Sequence, residues 1–388
     1  MNVSYLLTEL IDELVFGVGE TAWPLMRTDL ALTYSQIGLL MSLPGIIAAL
    51  IEPFLGVLGD VWRRRLLILG GGFIFTISLA LTALSRSFLP LLISFILFYP
   101  ASGAFVSLSQ ASLMDSAPDR HQQNMARWTL AGSLGQVLGP LMLGGVVYFG
   151  LGWRGAYALL TILAAASLLA AFRNLPHDTG DTPYFPGFRE VWKGFRAALI
   201  HLKRGEVWRW LILLEFSDLL MDVLLGFLAL YFVDVAGVSE AQAGLAVTVW
   251  LVMGLISDLL FIPYIDRQPD SIRFVRGTAW LEILVFALFL LVPGFLPKLA
   301  AVILVNLGNT GWYPVLQGRL YSALPGQSGL MLVIGAITMP LAKLLPFLIG
   351  LLADTFGLGN AMWLLLLGPA ALIIGLPRGA IPPAVIQE

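Results

Sequence analysis

Apolar runs of about 20 residues, the length a helix needs to cross hydrocarbon, alternate with short polar turns along the whole chain. They predict spans near 5–27, 34–59, 65–85, 88–116, 126–150 and 153–173, then 208–234, 239–265, 272–293, 297–321, 328–354 and 360–377. Between the two sets, Asn174 to Val207 is rich in Pro, Gly and charge. The pattern therefore predicts an all-α membrane protein with twelve transmembrane helices in two pseudo-symmetric six-helix bundles. Residues 1–173 form the first bundle, 174–207 a linker and 208–388 the second. Within the linker, Phe188 to Arg204 mixes Phe, Trp and Leu with Arg and Lys, as an amphipathic helix on a membrane surface does.

Polar positions inside the spans recur. At an offset of 206, Glu9 falls on Glu215, Asp12 on Asp218, Gln36 on Gln242, Gly38 on Gly244, Glu52 on Asp258 and Asp60 on Asp266. At 207, Gln110 falls on Gln317, and Phe149 to Gly152 falls on Phe356 to Gly359. Parallel repeats of membrane helices place a transport site at the interface between halves. Carboxylates within hydrocarbon are costly and usually functional.

Composition narrows the alternatives. The chain is 58% hydrophobic and 12% charged, against roughly a quarter charged in soluble domains. Without cysteine there are no disulfides, thiolate metal sites or cysteine nucleophiles. His121, His177 and His201 all lie outside the spans, so no histidine-based metal site is expected within the membrane. No nucleophile–base pair or phosphate-binding loop is visible, so neither an enzyme nor a cofactor is expected. No stretch marks a nucleic-acid partner, and the expected partners are a small-molecule substrate, protons and the lipid bilayer. Met1 to Tyr5 lead directly into an apolar span without a cleavage pattern, so no cleaved leader is expected.

Lys and Arg accumulate on the cytoplasmic side of membrane proteins. With the N-terminus inside, the inner loops, linker and tail hold 17 of the 22 basic residues. Both termini are thus expected in the cytoplasm, with the chain a monomer in the inner membrane.

At about 100° per residue, Glu9, Glu13 and Glu20 share an arc of roughly 40° on the first helix. Glu215, Asp218 and Asp222 share about 60° on the seventh. Glu52 lies about 12 Å from Asp60 along the second span, at a depth similar to Asp12. Asp12, Glu13 and Glu52 are expected to approach one another, as are Asp218 and Asp258. Such clusters favour bound protons, which is the chemistry of a proton-coupled carrier. Asp222 and Glu20 are candidates to meet a cationic group of the substrate. Lys343, the one basic residue deep in a span, is placed to neutralise Asp222 or Glu20. Glu282 is expected only as a partner near Asp258. On the tenth span Asn306, Asn309, Thr310, Tyr313 and Gln317 fall within about 100° of arc. Tyr99 on the fourth span corresponds to Asn306. This stripe suits an amphipathic organic ligand, with amides to orient it and rings to give contact area.

The segment Gly56-Val-Leu-Gly-Asp60-Val-Trp-Arg63-Arg64-Arg65 resembles the signature of the major facilitator superfamily at Gly56, Asp60, Arg64 and Arg65. Val61 and Arg63 depart from it. The resemblance implies that Asp60, Arg64 and Asp115 form a cytoplasmic gate, and that the first, fourth, seventh and tenth helices line a central cavity. Gly132, Gly135, Gly139-Pro140 and Gly144-Gly145 resemble the glycine-rich antiporter motif of drug exporters in that superfamily, and allow close helix packing. Asp12-Glu13-Leu through Arg27 and Tyr34-Ser-Gln-Ile-Gly loosely resemble the fosmidomycin-resistance branch, with carboxylates added at Asp12 and Glu52. The arginine that proton-coupled exporters often carry in the fourth span is absent between Leu89 and Met114.

The expected function is secondary active transport by alternating access, as proton-coupled export of a small cationic or amphipathic compound. Proton-coupled uptake, or divalent-cation transport through the acids, is the alternative within that class. A non-transporting membrane sensor is the alternative outside it.

Overall fold

The computed structural model describes residues 3–61, 63–116, 121–175, 205–265, 271–323 and 343–377. All regular elements among them are helical. The first six helices are Val3–Leu30, Tyr34–Val61, Arg64–Leu84, Phe88–Asp115, His121–Tyr148 and Gly152–Asn174. The seventh is in two pieces, Gly205–Ser217 and Asp222–Leu230, followed by the eighth, Glu240–Ile265, and the ninth, Ser271–Leu291. The tenth is again in two pieces, Phe295–Asn309 and Trp312–Ala323. Leu345–Phe356 and Leu358–Gly375 overlap the eleventh and twelfth expected spans. Nine helices among the described residues are long and apolar enough to cross a membrane. Val3–Leu30 is long enough but carries Glu9, Asp12, Glu13 and Glu20. The expected linker helix lies outside the described residues.

The sequence repeat has a local cause at several positions. Gln36 Oε1 accepts from Thr33 N–H at 3.0 Å, and Gln242 Oε1 from Ser239 N–H at 3.1 Å. Thr33 Oγ1 and Ser239 Oγ accept in turn from the N–H groups of Gln36 and Gln242. Each is a reciprocal cap on the start of a helix. Gly150 and Gly357, matched at offset 207, both have positive φ (78° and 83°), and each turns the chain from one helix into the next.

The fourth and tenth helices deform at matching places. A π-helical stretch occupies Gly103–Ser107. At the corresponding point the tenth helix breaks, with Thr310 extended (ψ 131°) and Gly311 at φ 84°. The seventh breaks through a 3₁₀ turn, Asp218–Leu220, and Met221. Here the structure departs from the uniform helical arc expected for Glu215, Asp218 and Asp222. Asn309 Nδ2 donates to the Leu220 carbonyl oxygen at 3.0 Å, so one broken helix is tied to the other at its break.

Glycines of the fifth helix set its approach to the first. A Cβ at Gly135 would strike the Leu10 carbonyl oxygen, and one at Gly139 would lie 2.6 Å from Gly17. Gly132 sits beneath Glu9. Gly144 and Gly145 have open space around them and take no part.

Candidate functional site

The acids of the first helix converge on the middle of the molecule. Asp12 is buried, and both carboxylate oxygens lie 2.9 Å from Ser102 Oγ on the fourth helix. Glu9 lies beside Trp128 and Gly132, and Glu13 beside Gln136 and Gly135. Glu52 rests its carboxyl against Gly103, where the missing side chain makes room, and lies within electrostatic reach of Asp12.

Across from these, Asp222 opens the second piece of the seventh helix and is exposed. It lies within electrostatic reach of Glu13, Glu20 and Asp218. Glu20 Oε2 is buried and has no hydrogen-bond partner among the described residues. It points to Gly226, a turn beyond Asp222. Lys343 packs its stem on Gly45 and lies within reach of Glu20, Glu52 and Asp218. Tyr99 stacks edge-on with Phe16 at 5.7 Å and lies within reach of Glu20, Asp12 and Asp222.

Asp12, Glu13, Glu20, Glu52, Tyr99, Asp218, Asp222 and Lys343 are thus gathered at one place. Among the six carboxylates, Lys343 is the cationic side chain within reach of Glu20, Glu52 and Asp218, and no cation among the described residues acts on Asp12 or Glu13. Negative charge on the members shielded from water, Asp12 and Glu20 Oε2, has to be met by protons or by a bound cation. Among the described residues no group of three or more His, Cys, Asp or Glu is arranged to hold a metal ion. The side chain of Asp258 on the eighth helix lies outside the described residues.

The tenth-helix stripe divides. Asn306 and Asn309 are buried and join helices: Asn306 Nδ2 donates to the Trp250 carbonyl, its Oδ1 accepts from Ser257, and Asn309 holds Leu220. Tyr313 and Gln317 are accessible, and Gln317 Nε2 donates to Tyr313 Oη at 3.3 Å. Glu282 is fully buried against Gly308; its expected partner Asp258 has its side chain outside the described residues.

At the end of the bundle that carries Arg63 to Arg65, Arg64 Nη1 meets Asp115 Oδ2 at 2.5 Å and Arg64 Nε donates to the Gly59 carbonyl. Asp60 lies in the second helix one residue from Gly59, and its side chain is outside the described residues.

The opposite end holds a cluster that residue spacing did not signal. Asp354 accepts from the N–H groups of Tyr34 and Ser35 at 2.8 and 2.9 Å, joining Leu345–Phe356 to the start of the second helix. Asp234 accepts from Tyr34 Oη at 2.9 Å and pairs with Arg27 at 3.3 Å, while the Arg27 guanidinium stacks on the Tyr34 ring. A Cβ at Gly38 would strike the Pro346 carbonyl, and one at Gly350 the Tyr34 carbonyl. Ser42 Oγ accepts from Phe347 N–H. The two halves of the chain are therefore in direct contact at this end.

Residues 7–337 match the family model of the Major Facilitator Superfamily. The fosmidomycin resistance protein of Escherichia coli (strain K12) is 28% identical over 177 residues, 43% of this chain and 41% of its own length. The chloramphenicol resistance protein of Pseudomonas aeruginosa is 33% identical over 162 residues, 40% of this chain and 37% of its own. The matches thus span about two fifths of these relatives. The fold is similar to that of the nucleoside transporter NupG (TM-score 0.74, 15% identity, 97% of each chain). It is also similar to a D-xylose–proton symporter (0.71, 16%, 96% of each) and the human organic anion transporter MFSD10 (0.64, 20%, 95% of this chain and 98% of the other). The chain belongs to the major facilitator superfamily and is a multi-pass membrane protein.

Proposed function

We propose that the protein exports a small cationic or amphipathic compound in exchange for protons, by alternating access in the inner membrane with both termini cytoplasmic. It does so as a monomer whose two six-helix bundles, residues 1–173 and 208–388, rock about the linker. The observation that carries this reading is the gathering of Asp12, Glu13, Glu20, Glu52, Asp218 and Asp222, with Lys343 within reach of Glu20, Glu52 and Asp218. Asp12, Glu13, Glu52, Asp218 and Asp258 carry the transported protons. Asp222 and Glu20 receive the cationic group, and Tyr99, Tyr313 and Gln317 supply rings and polar contacts. Asn306 and Asn309 hold the broken helices that frame the site. Lys343 occupies the carboxylates when the substrate has left, so that a bound cation displaces it from Glu20 and Asp218. The resistance functions named for the two bacterial relatives support export over uptake.

Access alternates between two ends. The Arg64–Asp115 pair, with Asp60 beside it, is the cytoplasmic gate. The Asp354, Asp234 and Arg27 cluster closes the opposite end in the conformation described here.

Binding to the purified protein tests the assignment of Asp222. A panel of organic cations and their neutral isosteres is titrated against wild type and Asp222→Asn. The variant should lose affinity for the cations at least tenfold while binding the neutral compounds as before. Equal loss for both sets would contradict it.

A further inference from the structure

Glu282 stands apart from the acids of the first, second and seventh helices. It lies mid-way along the ninth helix and has no solvent exposure. Neither carboxylate oxygen has a hydrogen-bond partner among the described residues. Its Oε2 rests directly on Gly308, so closely that any side chain there would overlap it. Gly308 is two residues before the break of the tenth helix at Thr310 and Gly311. One turn along from this contact the same two helices are bonded, as Trp312 Nε1 donates to Thr278 Oγ1 at 2.8 Å. Residues 278 and 282 thus face 312 and 308.

No charged group among the described residues acts on Glu282. On the tenth helix, Lys298 is held by Tyr231 Oη and the Phe289 and Leu290 carbonyls. Tyr313 takes a hydrogen bond from Gln317, and Arg319 lies two turns beyond Trp312. On the ninth itself, Arg276 donates to the Leu376 and Pro377 carbonyls. The twelfth helix from Met362 to Gly375, which also packs on the ninth, has no titratable side chain.

We propose that Glu282 is a proton-binding site that sets the bend of the tenth helix. In the arrangement seen here the carboxyl is neutral, because an ionised carboxylate in this closed apolar contact has neither donor nor counter-charge among the described residues. Release of the proton drives the carboxyl off Gly308. The first turn of Trp312–Ala323 begins four residues away; Pro314 has no N–H and Val315 N–H is bonded to the Gly311 carbonyl, which leaves the N–H group of Trp312 to receive an anion. Re-docking there changes the angle between the two pieces, and with it the position of Asn309 and its hold on Leu220. The proposal adds a proton site to the proton-coupled reading, but it is measured without substrate and stands or falls separately.

The test combines two measurements on protein reconstituted in lipid bilayers across a pH series. Infrared spectroscopy follows carboxylic-acid C=O bands. Wild type should show one band that Glu282→Gln removes. Gly308→Ala, whose methyl takes the space of the carboxyl, should shift that band even if Glu282→Gln yields little folded protein. In parallel, spin labels on Leu296→Cys and Gly318→Cys span the break, and the chain has no native cysteine to interfere. Both positions have room for a label, since Leu296 is exposed and Gly318 has nothing within 4 Å of its Cβ direction. The label distance should change with pH, and Glu282→Gln should hold it at the low-pH value. A spectrum unaltered by both variants, or a label distance that responds to pH equally with Gln at 282, overturns the proposal.

Discussion

The contact between Asp354 and the start of the second helix allows the energetics of closure to be worked through. Replacing Asp354 by Ala removes the acceptor for two N–H groups, Tyr34 at 2.8 Å and Ser35 at 2.9 Å, that lie in a helical first turn and have no intrahelical partner. Hydrogen bonds to a charged acceptor contribute roughly 1.5–3 kcal/mol each. Asp354 is exposed, so solvent competes for the same donors and screens the charge. The pair together is then expected to contribute about 1–2 kcal/mol. These bonds join two halves of the chain, so they stabilise only the conformation closed at this end. Their loss should shift the equilibrium between closed and open states about five- to thirtyfold toward open. Asp354→Asn, which keeps one carbonyl acceptor, should shift it less. Spin labels at Ser87→Cys and Glu240→Cys, both exposed and at this end on opposite halves, report the populations directly. Wild type should show a dominant short distance, and Asp354→Ala a longer one at its expense. If the distribution is unchanged in folded Asp354→Ala, the contact does not govern closure and the reasoning fails.

Gly135→Ala and Gly139→Ala force backbone into backbone and should each destabilise the protein by about 1–3 kcal/mol, whereas Gly144→Ala and Gly145→Ala should leave its unfolding temperature unchanged. At the proposed cytoplasmic gate Arg64→Ala should slow transport in proteoliposomes severalfold with substrate affinity preserved, and adding Asp115→Ala should change little, because the two are one unit; Asp60→Asn should behave alike. Asn309→Ala should lower thermal stability by about 1 kcal/mol through the lost bond to Leu220, while Tyr313→Ala should alter affinity and selectivity for aromatic substrates with little change in stability.

What was legible in the residues depended on whether the responsible contact was local in sequence. The helices followed from apolar runs. The Arg64–Asp115 pair followed from a charge signature at the close of the second span, and it is formed. Glu9, Glu13 and Glu20 share a turn period, and the structure brings Glu13 and Glu20 to Asp222, with Tyr99 and Lys343 within reach of Glu20, while Glu9 lies beside Trp128. The recurrence of Gln36 at Gln242 carried a different meaning: both residues cap a helix start, so a structural need explains their repetition. No residue pattern announced the break in the seventh helix, since Leu219, Leu220 and Met221 are ordinary helix formers and the break is stabilised from outside by Asn309. For the same reason the stripe of amides on the tenth helix looked like a ligand surface, yet its two asparagines bond backbone and serine across helix interfaces. Asp354 meets residues 319 and 320 positions away, and Glu282 meets Gly308 only through the packing of adjacent helices. Neither has a signal in one sequence.

Proton-driven accumulation in proteoliposomes tests the central claim most directly. An imposed pH gradient is applied to vesicles holding wild type or the double variant Glu52→Gln with Asp258→Asn, while an organic cation that binds the purified protein and the lumenal pH are followed together. Wild type should accumulate the compound against its gradient, with a lumenal pH change that requires the compound. The double variant should exchange the compound down its own gradient but neither accumulate it nor move protons. Accumulation by the double variant with unchanged pH dependence would contradict the account and place the coupling elsewhere.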